Sequence, residues 1–156
     1  MKLRFTPTQA INIIASIALA GCGYIHPCDF EIDREFIKTS CDFSNGLEVE
    51  KIKNIREFRD DVPVAYDVEF SLWYFQKPWQ KDERTVIYFK KEMKDYEWYN
   101  LTNGLTSKTM PFDFEKEQWY IFGGLYEHGA PSVLLYVYVN SDNSLRVHRV
   151  DKPTNF

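Results

Sequence analysis

Between Ala65 and Phe75 the chain alternates with a period of two: Tyr66, Val68, Phe70, Leu72 and Tyr74 fall on one side, Asp67, Glu69 and Ser71 on the other. Successive side chains of an extended strand point to opposite faces, so this order fits an antiparallel strand with one buried and one solvated face. Trp73 and Phe75 interrupt the polar side near its end. The same grammar recurs along the chain: Phe30 and Ile32 alternate with Asp29, Glu31 and Asp33, and Thr85 to Phe89 is a compact β-branched and aromatic run. Gln118 to Gly123, the nearly continuous apolar run Ser132 to Val139, and Leu145, Val147 and Val150 complete the set. Turn chemistry separates them. Asn45-Gly46 follows a short run through Cys41 and Phe43, Asn103-Gly104 marks another turn, and Asn140 to Ser144 reads as a hairpin loop. Gln76 to Arg84 and Glu127 to Pro131 are polar connections. Leu47 to Phe58 reads two ways, because Leu47, Val49 and Lys51 alternate as in a strand while Ile52, Ile55 and Phe58 recur at helical spacing. The whole predicts an all-β fold, a small antiparallel β-sandwich of about seven to eight strands.

The N-terminus stands outside this pattern. Lys2 and Arg4 precede an apolar stretch from Ala10 to Gly21, which ends in the small residues that a secretory signal carries before its cleavage point. The stretch contains Asn12 and Ser16 and is too short for a bilayer, which takes about 20 apolar residues. A cysteine follows at once, and Leu19-Ala20-Gly21-Cys22 resembles the lipobox of bacterial lipoproteins. That resemblance implies acylation of Cys22 and removal of residues 1–21 as a signal peptide. Residues 22–27 then read as a lipidated tether ending at Pro27, and the strand pattern and length predict a single β-sandwich domain over 28–156. Gly23, where an aspartate would favour inner-membrane retention, implies anchoring in the outer membrane facing the periplasm. The multiple acylation of that family implies near-permanent attachment, since a single chain binds membranes only marginally.

Removing residues 1–21 leaves 135 of 156 residues, with 17 basic against 23 acidic side chains and a net charge of −6. That sign argues against nucleic acid, whose phosphates are bound by Lys and Arg, and is compatible with a basic protein partner. With Cys22 assigned to lipid, Cys28 and Cys41 remain, and an even pair in an oxidising compartment is most simply a disulfide. The chain contains no GxSxG, HExxH, phosphate-cradling GxxxxGK or EF-hand loop. His26, His128 and His148 share no ligand spacing and read as surface residues; Asp60-Asp61, and Glu115 with Glu117, read as solvated charge. Neither an enzyme nor a cofactor or metal is expected.

Tyr66, Phe70, Tyr136 and Tyr138 lie in clear strand patterns and read as core. Trp79 and Trp98 instead border the charged runs Lys77 to Arg84 and Lys90 to Glu97, and are expected to be exposed and to contact a protein partner. The lipobox, the close cysteine pair and the run Phe114-Glu115-Lys116-Glu117-Gln118-Trp119-Tyr120 leading to Val133-Leu134-Leu135-Tyr136-Val137-Tyr138-Val139 resemble small periplasmic lipoproteins of the type VI secretion immunity kind. The resemblance implies a non-catalytic binding protein that neutralises a delivered toxin. An envelope structural or assembly lipoprotein, and a glycan-binding or lysozyme-inhibiting lipoprotein, are the alternatives.

Overall fold

The structure, a computed structural model, describes residues 28–40, 46–76, 85–94, 96–125 and 133–151. The signal segment, Cys22, the tether, Cys41, Trp79, His26 and His128 lie outside the described residues. Ten strands are present among the described residues: β1 Phe30–Ile32, β2 Phe36–Thr39, β3 Leu47–Arg59, β4 Val62–Gln76, β5 Val86–Tyr88, β6 Tyr96–Asn100, β7 Thr106–Ser107, β8 Gln118–Leu125, β9 Val133–Val139 and β10 Leu145–Asp151. They form two antiparallel sheets packed as a sandwich, one ordered β1-β2-β5 and the other β10-β9-β8-β3-β4-β6-β7. The expected fold class is therefore the observed one, with three short strands, β2, β6 and β7, where the sequence showed none; the run expected through Cys41 and Phe43 lies outside the described residues.

Between the sheets lies the larger core. Leu47, Val49, Leu72, Tyr74, Trp98, Tyr120, Phe122 and the odd-numbered residues of β9 meet Ile37, Ile87 and Phe89, and Met110 and Phe114 from the segment before β8 close one side. Trp98 is 1% exposed, with its ring 4.7 Å from Tyr74 and 6.3 Å from Phe89. Its expected exposure is thereby corrected. In a strand, Tyr96 and Trp98 point inward while Glu97 between them points outward to Lys108, 3.2 Å away, so the neighbouring charges occupy the opposite face.

A second cluster covers the outer face of the large sheet. Ile52, Val62, Trp119, Ile121 and Tyr136 are buried there, with Ile55, Tyr66, Leu134, Tyr138 and Val150 packed around them. The continuous apolar run of β9 is thus explained by burial on both faces. One-sided burial of the Tyr66 to Tyr74 strand does not hold: Lys51 pairs with Phe70 and Ile52 with Val68, leaving Glu69 as the extra residue of a β-bulge. One extra residue inverts the facing of everything beyond it. Phe70, Leu72 and Tyr74 therefore enter the inner core, Tyr66 packs on the outer cluster, and Val68 is left 45% exposed. Leu47 to Phe58 is strand throughout. Its helix-like spacing comes from further register shifts between Lys53 and Glu57 and between Glu57 and Phe58, around Asn54 at φ 50°, which bring Ile52, Ile55 and Phe58 to the outer side.

Candidate binding groove at the edge of the large sheet

The β3–β4 hairpin is closed by Arg59 opposite Val62, and its two loop residues, Asp60 and Asp61, have φ of 49° and 64°. Positive φ at both central positions is the type I′ geometry that matches strand twist in two-residue hairpins. Asp60 and Asp61 are both exposed, as solvated charge should be, and they also make the turn. The bulges in β3 and β4 bend the distal hairpin onto the outer face, where Phe58 lies 6.2 Å from Trp119 and Val62 joins the outer cluster.

The hairpin tip comes to rest beside β10, with a groove of about 720 Å³ between them. Arg59, Asp60, Val62 and Val64 form one wall, and the consecutive residues Val147 to Asp151 form the other. Consecutive residues of a strand alternate in facing, so both parities can border one groove only where the strand presents its edge. β10 ends the sheet order, and no described strand pairs with its outer side. Val64 and Val147, 40% and 42% exposed, give the groove apolar contact surface.

Charge around the groove is unevenly compensated. Arg149 bonds Asp151 at 2.9 Å, donates to the Cys28 carbonyl and stacks over Phe30, tying β10 to the start of the small sheet. Arg146 is exposed, its guanidinium lying 5.7 Å over Trp119 and 5.0 Å over Tyr138, with no ion pair among the described residues. His148 sits 6.1 Å from Trp119, and its Nε2 is buried without a hydrogen-bond partner. The surface histidine expected there is half-buried.

Elsewhere the polar clusters are structural. Lys51 is buried, 2.8 Å from Glu115 and 3.2 Å from Glu69; burial opposes its charge, but the two carboxylates prevail and hold its ammonium above the usual lysine range. Glu115 is thus paired rather than merely solvated, and its amide donates to the Tyr120 hydroxyl at 3.0 Å. Burial, reinforced by Tyr136 and Glu50, pushes the Tyr66 phenol up to about 12. Among the described residues no group of three His, Cys, Asp or Glu gathers as a metal site.

Of the residues singled out from sequence, Cys28 is disulfide-bonded and Trp98 is buried in the inner core, away from any contact surface. Cys22, Cys41 and Trp79 lie outside the described residues, so a site uniting Trp79 and Trp98 has lost one of its two members. The groove itself was not foreseen. Its signal was the Asp60-Asp61 pair between two alternating runs, one residue removed from the familiar Asp-Gly turn. No protein-family model matches the chain, and neither does any curated protein or solved structure.

Proposed function

We propose that this protein is a lipoprotein held by Cys22 in the outer membrane, facing the periplasm, where it acts as a non-catalytic protein-binding module. Immunity against a toxin delivered by type VI secretion is the particular role we assign to it. The observation that carries the binding reading is the groove beside β10, which is walled by a strand edge and partly exposed valines. Such surfaces recognise polypeptide, because main-chain groups give affinity and alternate side chains give selectivity. Anchoring rests on the Leu19-Ala20-Gly21-Cys22 sequence, and a periplasmic anchor places the protein where an incoming toxin would arrive.

Contact competition on solid medium tests the role. A strain lacking the gene should be killed by its parent, be rescued by the full-length gene, and survive when the parent's secretion apparatus is removed. Equal survival of the deletion strain and the parent would remove the immunity role. Photo-crosslinking residues placed at Val64 and Val147 in the anchored protein test the wider reading, since protein adducts are expected at both positions. Adducts at neither would overturn it.

A further inference from the structure

We propose that β10 accepts an extended strand of the partner in which acidic and apolar residues alternate, with Arg146 selecting the acidic side. The inference rests on the protein-binding reading and specifies its chemistry. β10 pairs with β9 without a register break from Leu145 opposite Val139 to Asp151 opposite Val133. A regular edge of this kind leaves alternate N–H and C=O groups directed away from its neighbour, which is a template for strand addition. Across the groove, Val62 and Val64 supply an apolar wall on the hairpin side.

A second copy of the chain is the first occupant to weigh, and charge argues against it. Two-fold antiparallel pairing that continues the sheet sets residues of the same face opposite one another, so the two opposed numbers must share parity. Centred on Arg149, such pairing opposes arginine to arginine. Centred on Val147 or His148, it leaves both Arg146 side chains opposite His148 or Val150, with no carboxylate to pair; centred on Val150, it sets Arg149 against Asp151, an aspartate that Arg149 already holds at 2.9 Å within its own strand. Like charges directly opposed across strands destabilise the pair, and charged edges are a recognised device against self-association. The same arrangement favours a foreign strand with a carboxylate opposite Arg146. Arg149 is already engaged by Asp151 and the Cys28 carbonyl, whereas Arg146 is exposed and lies over aromatic rings without an ion pair among the described residues. The uncompensated charge on the outer face of β10 is therefore that of Arg146. The next partner residue falls beside Val147 and is best apolar.

The test uses the full-length protein in detergent micelles and end-capped synthetic ten-residue peptides: alternating Glu and Val, alternating Lys and Val, and the Glu/Val peptide with proline at its centre. Binding is read by fluorescence anisotropy, and its position by hydrogen exchange over 145–151. Expected are slowed exchange in β10 with the Glu/Val peptide, at least tenfold weaker binding of the Lys/Val peptide, and loss of both effects with proline. Arg146→Glu should invert the preference, and Arg146→Gln should reduce it; Arg146 is exposed, and unchanged near-ultraviolet circular dichroism confirms folding. Equal binding of the Glu/Val and Lys/Val peptides, or protection confined to other strands, would overturn strand addition. Should the Val64 crosslink to a protein persist in that case, strand addition fails while the protein-binding reading stands.

Discussion

Trp98 shows what a single residue's neighbourhood in sequence does and does not reveal. Its neighbours Lys90 to Glu97 are heavily charged, but the local order Tyr96-Glu97-Trp98 has the period of a strand, and the charge belongs to the other face. Trp98→Ala should therefore cost about 3–5 kcal/mol as a core truncation, measured as a lowered urea midpoint with an unchanged slope. A surface tryptophan would change the midpoint little. Ionisable side chains give a second prediction at this scale. The Tyr66 phenol titrates near 12 in the folded protein against an ordinary value of 10.0, and Lys51 lies above its own 10.5. Both groups hold their protons more tightly when folded, so their contribution is intact below pH 10 and is lost as pH rises through the folded values. Urea midpoints should fall between pH 10 and 12, and Tyr66→Phe should make that fall shallower. A mutant curve parallel to the wild type would show that Tyr66 is not the group responsible.

Strand identity was legible where the alternation was uninterrupted, and strand facing was not legible where bulges intervened. β9 and the β9–β10 loop followed directly from the run Val133 to Val139 and from Asn140 to Ser144, where Asn143 takes φ 70° and the Asn140 amide donates to the Ser144 carbonyl. In β3 and β4, by contrast, a bulged residue costs the alternation its phase, and no residue type in Lys51-Ile52 or Glu69 announces it. The type I′ turn offers a test of the hairpin. Asp61 at φ 64° occupies a conformation that glycine adopts without penalty, so Asp61→Gly should stabilise the protein by roughly 0.5–1 kcal/mol in thermal or urea unfolding. Destabilisation would mean that the aspartate side chain holds the turn. At the other sheet, β1 and β2 pair Phe30 with Thr39, and continuing that register outward by two residues arrives at Cys28 and Cys41. Mass spectrometry of unreduced protein should find these two cysteines joined, and replacing both with alanine should cost about 2–5 kcal/mol. A Cys28 linked to any other thiol would refute the pairing.

At the scale of the molecule, the all-β sandwich was readable because turn residues and two-residue alternation agree along most of the chain, while the candidate groove was not. The groove arises from a long-range event, the bending of the β3–β4 hairpin onto Trp119 and toward β10, and local pattern carries no information about which distant edges will meet. The proposed anchoring is the converse case, read entirely from the local sequence. The signal segment precedes the described residues that build the inner and outer cores, so the address and the folded domain are expected to separate on mutation. Cys22→Ser removes the thiol that the proposed acylation requires. The variant should leave the detergent-extracted envelope fraction, remaining uncleaved or soluble and lacking the mass of the acyl chains. Its strands and its unfolding midpoint should match those of the lipidated protein. Retention in the envelope with an unshifted mass would overturn the lipoprotein assignment. Loss of the fold together with loss of the anchor would instead show that the segment before Cys28 contributes to the domain, and the boundary between tether and sandwich would have to move toward the N-terminus.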